Sequence, residues 1–128
     1  MGSRTPKPTA GELEILRVLW ERGPSTVREI HETLSKSRDV GYTTALKLLQ
    51  IMTAKGTVRR NEEQRAHVYE ACQPAGKTKR ELAGDVLQRV FAGSASDLMM
   101  HALEGRRTSR RELDELRRLL DEHERGLK

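Results

Sequence analysis

Only one stretch of this chain interrupts a helical periodicity, and that interruption narrows the possible folds more than any other feature. Val58-Arg59-Arg60 and Arg65–Glu70 read as two short extended segments around the polar turn Asn61–Gln64, with Val68 and Tyr69 in a β-favouring run. A hairpin over 57–70 therefore stands ahead of the alternative, an irregular loop. Before it, T-A-G-E at 9–12 is a capping box, in which Thr9 and Glu12 satisfy each other's backbone donors. Leu13, Leu16, Leu19 and Trp20 follow at helical spacing, and Gly23-Pro24 ends the segment, so a helix is expected over 10–22. Ser25 or Thr26 caps a second helix with Glu29 at the reciprocal position; its stripe is Val27, Ile30 and Leu34, and it fades over 35–39. A third helix opens at Thr43 or Thr44, with Tyr42 placed as a hydrophobic staple. It turns Ala45, Leu48, Leu49 and Met52 to one side and stops at Gly56. Three short helices followed by one hairpin is the order of a winged helix-turn-helix.

Beyond Ala75-Gly76 everything is helical again. Thr78 and Glu81 form a capping box ahead of Leu82, Val86, Leu87, Val90 and Phe91, with Gly93 as the stop. Ser94–Glu104 carries Leu98, Met99, Ala102 and Leu103, and Ser109 with Glu112 caps a last helix bearing Leu113, Leu116, Leu119 and Leu120. These stripes hold a single aromatic residue and are too narrow to enclose a core among themselves. They are expected to pack against a second copy of the chain, through Leu87, Val90, Phe91, Leu98, Leu113, Leu116, Leu119 and Leu120. Composition agrees: only 35% of the residues are apolar and 3% aromatic, a thin core for 128 residues. The expected fold class is mainly α, with a winged helix-turn-helix domain (three helices plus a β-hairpin wing) followed by a three-helix dimerisation domain. The expected boundaries are 8–72 for DNA binding and 76–126 for dimerisation.

Several function classes drop out. No run is long and apolar enough to span a membrane, and residues 1–10 lack the apolar core of a secretory signal, so a cytoplasmic protein is expected. Cys72 is the single cysteine, which leaves no intramolecular disulfide and no multi-cysteine metal site; it reads as a packing residue. His31, His67, His101 and His123 are scattered, with no triad or metal-ligand spacing, and there is no glycine loop to cradle phosphates. Hence no enzyme, no metal and no cofactor are expected.

The net charge of +5 is spread over both halves, so any nucleic-acid reading rests on where charges sit. On the third helix, the face opposite the apolar one carries Thr43, Lys47, Gln50 and Ala54, with Thr44 beside it. Hydroxyls can bond phosphates or bases, lysine can reach guanine or phosphate, and glutamine can pair with adenine. Arg59, Arg60 and Arg65 on the hairpin would track phosphates beside that helix. The cluster Arg106, Arg107, Arg110 and Arg111 lies at the start of the last helix and reads as solvated, or as facing acidic residues across a dimer.

At this point the residues resemble a known family. The segments P-T-A-G-E-L-E-I-L-R-V-L-W-E-R-G-P-S-T-V-R-E-I (8–30), Y-T-T-A-L-K-L-L-Q-I-M-T-A-K-G (42–56) and R-A-H-V-Y (65–69) resemble the penicillinase repressor group, BlaI/MecI/CopY. So do F-A-G-S (91–94) and E-L-D-E-L-R-R-L-L (112–120). The resemblance implies a dimeric winged-helix repressor on a palindromic operator that overlaps a promoter. By position, Thr43, Thr44 and Lys47 fall where the family's recognition helix meets the major groove, and Arg59, Arg60 and Arg65 fall on its wing. Ser25-Thr26, opening the second helix, would approach the backbone.

The chain also departs from the family's pattern. It ends E-H-E-R-G-L-K without the cysteines of the copper-responsive branch, so copper sensing is not expected. His101-Ala102 stands where the β-lactam branch is cut between an asparagine and a phenylalanine. Thr57 replaces an apolar residue and Ile51 an arginine. The expected function is a homodimeric, sequence-specific transcriptional repressor on double-stranded operator DNA, with a regulatory protease or sensor as a further candidate partner. Two other classes compete. One is a winged-helix module that grips an acidic protein; the other is an effector-binding regulator, disfavoured because the core leaves no apolar residues over to line a pocket.

Overall fold

The computed structural model describes residues 7–63 and 65–127. The elements run α1 (Ala10–Arg22), β1 (Ser25–Thr26), α2 (Val27–Ser35), α3 (Tyr42–Lys55), β2 (Val58–Asn61), β3 (Val68–Ala71), α4 (Ala75–Arg89), α5 (Ala95–Leu103) and α6 (Arg110–Arg125). They form two units that divide inside α4, between Ala83 and Gly84. The first turns of α4 thus fall in the first unit.

In the first unit the helix starts follow the chemistry of their caps. Thr9 and Glu12 form the capping box of α1, and Thr26 and Glu29 form that of α2. Each satisfies two backbone donors that a helix end leaves open. The core draws Ile15, Leu16, Val18 and Leu19 from α1, Val27, Ile30 and Leu34 from α2, and Leu49 and Met52 from α3. Val58 and Tyr69 close it from the sheet. Each such side chain contributes roughly 1.5–3 kcal/mol by leaving water. The buried face of α1 is wider than the stripe expected from spacing. Ile15 and Val18 are inside, whereas Leu13 and Trp20 are only partly covered.

The sheet has three strands in the order β1-β3-β2, all antiparallel; Ser25 faces Tyr69 and Arg59 faces Glu70 in register. Two-residue β1 was not anticipated, because two residues carry no alternation to read. It forms because Thr26 must be extended to cap α2, and that conformation suits pairing with β3. α3 begins at Tyr42, one or two residues earlier than expected, with Gly41 as an N-cap that supplies no side-chain bond. Tyr42 is therefore inside the helix rather than stapled beneath it, exposed and edge-on to His31 at 5.7 Å between ring centres. At the other end Gly56 takes a left-handed conformation (φ 84°), which reverses the chain at little steric cost. Thr57, the polar residue at an apolar family position, is buried without penalty. Its hydroxyl and its N–H both donate to the Met52 carbonyl, at 3.2 and 3.0 Å.

α4 corrects another expectation. It starts at Ala75, behind Pro74, and runs through Gly76 rather than starting from a Thr78–Glu81 capping box. Thr78 is buried within the helix and accepts a bond from Gln73 Nε2 at 2.6 Å, and the same nitrogen donates to Glu81 at 3.0 Å. α4 ends at Arg89, four residues short of Gly93. The turn between them places Ala92 and Gly93 at positive φ and returns the Gly93 N–H to the Leu87 carbonyl at 2.8 Å.

The second unit has a different character. Ser94 and Ser109 cap α5 and α6 through the N–H groups of Asp97 and Glu112. No residue of α5 or α6 is buried. Val90 and Leu120 are each 68% exposed, and Leu119 is exposed beside them. Leu87, Phe91, Leu98, Leu113 and Leu116 are half-buried, with Phe91 tilted against His101.

Candidate nucleic-acid interface

The outer face of α3 is held from both ends as well as from below. Ala45, Leu49 and Met52 are buried beneath it. At its far end Lys55 Nζ reaches the Glu12 carboxylate on α1 at 2.9 and 3.1 Å, and Glu12 is only 2% exposed. A buried carboxylate without its cation would be strongly destabilising, so this pair fixes where α3 lies on α1. Ahead of α3, His31 Nε2 makes a 2.7 Å bond with the Val40 carbonyl, which ties the turn between α2 and α3. Sequence reading missed both anchors. Glu12 and Lys55 are 43 positions apart, and nothing local links them.

On the face so positioned, Thr43, Thr44, Lys47 and Gln50 are all exposed. None of these four side chains makes a hydrogen bond or ion pair with a described residue. Two apolar residues, Tyr42 and Ile51, are also exposed on α3, and of these only Tyr42 was expected elsewhere, as a staple. Ile51, at the arginine position of the resemblance, gives this surface an apolar contact where a cation is common.

Of the remaining expected contacts, all but Arg65 are engaged within the protein. Ser25 is 1% exposed; its hydroxyl donates to the Gly23 carbonyl at 2.9 Å and accepts from Arg22 Nε at 3.4 Å. The hydroxyl expected to approach the DNA backbone is thus buried and bonded within the protein. Thr26 uses its hydroxyl on both the N–H and the carboxylate of Glu29. That backbone bond in return, from the Thr26 N–H, is the main reason Glu29 is held below the usual carboxylate range.

On the wing, Arg59 pairs with its cross-strand neighbour Glu70 at 2.6 Å, and Arg60 with Glu62 at 2.6 Å. Those hydrogen bonds raise both guanidinium pKa values and lower that of Glu62. Across 58–71 three arginines meet three glutamates, so the wing as a whole is close to neutral. Arg65, exposed in the turn between β2 and β3, has no ion-pair partner among the described residues.

Away from this face, the arginine cluster at the start of α6 is largely neutralised. Arg106 bonds Glu112, Arg110 lies near Asp114, and Arg111 near Glu115. His101 and Ala102 are exposed in α5. Among the described residues no helix is long and apolar enough to cross a membrane, and no cluster of acidic, histidine or cysteine side chains is arranged to hold a metal.

The penicillinase repressor family model matches residues 8–122. The chain belongs to the penicillinase repressor family. It is a transcriptional repressor of the BlaI/MecI type, a DNA-binding regulator and not an enzyme. The repressor is 38% identical over 120 residues to the transcriptional regulator BlaI of Mycobacterium tuberculosis, covering 91% of this chain and 86% of that one. It is 25% identical to the penicillinase repressor of Bacillus licheniformis, over 94% of both chains. Among solved structures it is similar to the DNA-binding domain of the repressor BlaI in solution. The TM-score is 0.51 and the identity 24%, over 58% of this chain and 90% of that one, a likeness of fold that places a winged helix in the first unit.

Proposed function

We propose that this repressor binds a dyad-symmetric operator as a homodimer in the cytoplasm, with α3 in the major groove, and represses by covering the promoter. The observation that carries the reading is the set of four uncommitted polar side chains, Thr43, Thr44, Lys47 and Gln50, on one exposed face of a helix anchored at both ends. Hydroxyl and amide contacts from Thr43, Thr44 and Gln50 supply sequence discrimination, and Lys47 supplies a guanine or phosphate contact. Arg65 adds a phosphate contact from the wing. Arg59 and Arg60 contribute only by exchanging Glu70 and Glu62 for phosphate. Ser25 and Thr26 shape the start of α2 and are left out of the contact set.

Dimerisation rests on the apolar surface that the second unit leaves in water. Leu87, Val90, Phe91, Leu98, Leu113, Leu116, Leu119 and Leu120 form the proposed interface, about residues 76–126. Two copies would set their α3 helices about 34–36 Å apart, one turn of DNA, which calls for an operator with two-fold symmetry. Release of the operator by cutting at His101-Ala102 is not part of the proposal, since neither residue belongs to the pair cut in the β-lactam branch.

The test is fluorescence anisotropy with the gene's own upstream DNA and a scrambled duplex, over a salt series. Selective binding at two protomers per duplex is expected. For Lys47→Ala the slope of log affinity against log salt should flatten by about one. Equal, weak binding to both duplexes, or a slope unchanged by Lys47→Ala, would refute α3 as the reader.

A further inference from the structure

Within the first unit, α1 and the opening turns of α4 run past each other without closing. The strip of α1 formed by Leu13, Arg17, Trp20 and Glu21 faces Ala75, Lys79 and Leu82 of α4 across a groove of about 510 Å³. That volume lies inside the ~300–1,000 Å³ typical of small-molecule sites. Leu13 and Trp20 are the two α1 residues that the core leaves partly uncovered, so apolar surface expected to be absorbed by the core lines this groove instead. The indole is fixed: Trp20 Nε1 donates to the Gln73 carbonyl at 3.1 Å, just ahead of α4.

The walls are charged in a way that selects a ligand. Arg17 stands on one wall and Lys79 on the other, both exposed, and neither has an ion-pair partner among the described residues. The groove holds one opposing carboxylate, Glu21, also without an ion-pair partner among the described residues. An apolar floor with two free cations against one anion complements an apolar molecule that carries a single carboxylate.

We infer that the groove between α1 and α4 is an effector site for a small apolar carboxylate, which Arg17 and Lys79 hold by its anionic head and which Leu13, Trp20 and Leu82 cover along its body. The inference rests on the repressor reading for its consequence alone. α4 continues to Arg89, past the boundary at Ala83–Gly84, so a ligand that alters how α4 seats on α1 acts on the segment leading into the second unit. Occupancy should therefore weaken operator binding. Through this site the repressor would respond directly to a dissolved metabolite.

Trp20 is the only tryptophan of the chain, so its emission reports on the groove directly. The full chain is titrated with decanoate, below its micellar range, and with decan-1-ol as a neutral counterpart. A saturable change with decanoate, and binding about tenfold weaker for the alcohol, are expected from the charge-assisted contacts. The double variant Arg17→Gln, Lys79→Gln should erase that preference, and both residues are exposed, so the fold is kept. No saturable change, equal affinity for acid and alcohol, or a preference that survives the double variant would each overturn the site. Decanoate is then added to the protein–operator complex. Release by the parent chain and not by the double variant supports the regulatory role, and an unmoved complex overturns it. Failure of the titration leaves the repressor reading intact, because the titration contains no DNA.

Discussion

The two units use similar helices and arrive at opposite states. In the first, twelve apolar side chains from three helices, a connecting turn and a sheet converge on one buried cluster. In the second, α5 and α6 start from serine caps yet bury none of their residues, and Val90, Leu119 and Leu120 are left in water. Good capping and good periodicity are common to both. What separates them is whether the apolar faces find one another within a single chain. The first unit is a closed core that carries an outward polar face, and the second leaves its apolar faces in water.

Changes made in each unit should therefore fail in different ways. The largest effect is expected from Leu120→Glu. Because Leu120 is already exposed in the single chain, folding should persist. The dimer should weaken by roughly a hundredfold or more, since burying an unpaired carboxylate costs about 3 kcal/mol or more. Sedimentation equilibrium measures this, and an unchanged dimer at micromolar concentration would remove α6 from the interface. Ile30→Ala should do the reverse. It opens a cavity in the closed core and lowers stability by about 2–5 kcal/mol in urea unfolding, with little direct effect on self-association once folded.

A smaller effect follows from the cap of α2. Thr26→Ala should cost about 1 kcal/mol. It should also flatten the acid side of the stability profile. The folded pKa of Glu29 lies below its ordinary 4.5, so its contribution is complete above that value and is lost as pH falls through the folded pKa. Thermal melts of parent and variant from neutral pH downwards would show the curves drawing together in acid by the share of the Thr26 hydroxyl alone, since the bond from the N–H of residue 26 survives in the variant. Parallel curves would mean that the hydroxyl carries none of the acid sensitivity.

The smallest prediction turns the same contrast inward, to α3 and the wing. The polar groups of α3 are free, whereas Arg59 is engaged by Glu70. Glu70→Gln should release that guanidinium and strengthen DNA binding by about two- to fivefold at low salt, an advantage that fades as salt rises. An equal or weaker affinity would mean that Arg59 does not face the phosphates.

Much of the architecture was legible in local chemistry. The capping boxes at Thr9–Glu12 and Thr26–Glu29, the stop at Gly56, the hairpin and the apolar face of α3 are all written within a few residues, and helix ends and turns are local objects. Local rules misled where a nearby partner displaced them. Gln73, rather than Glu81, takes up the Thr78 hydroxyl, and α4 starts from Pro74 instead.

The polar face of α3 was readable because the helical period alone separates Thr43, Lys47 and Gln50 from Ala45, Leu49 and Met52. Sequence by itself thus determined the helices, the hairpin, the family and the side of α3 that faces outward. Only the tertiary structure decided that Ser25 is buried, that Arg59 and Arg60 are matched by glutamates, that Lys55 is held by Glu12, and that α1 and α4 leave a groove beside Trp20. The reason is physical. A side chain's secondary structure depends on neighbours three or four residues away, but its freedom to meet a partner depends on which distant group reaches it first.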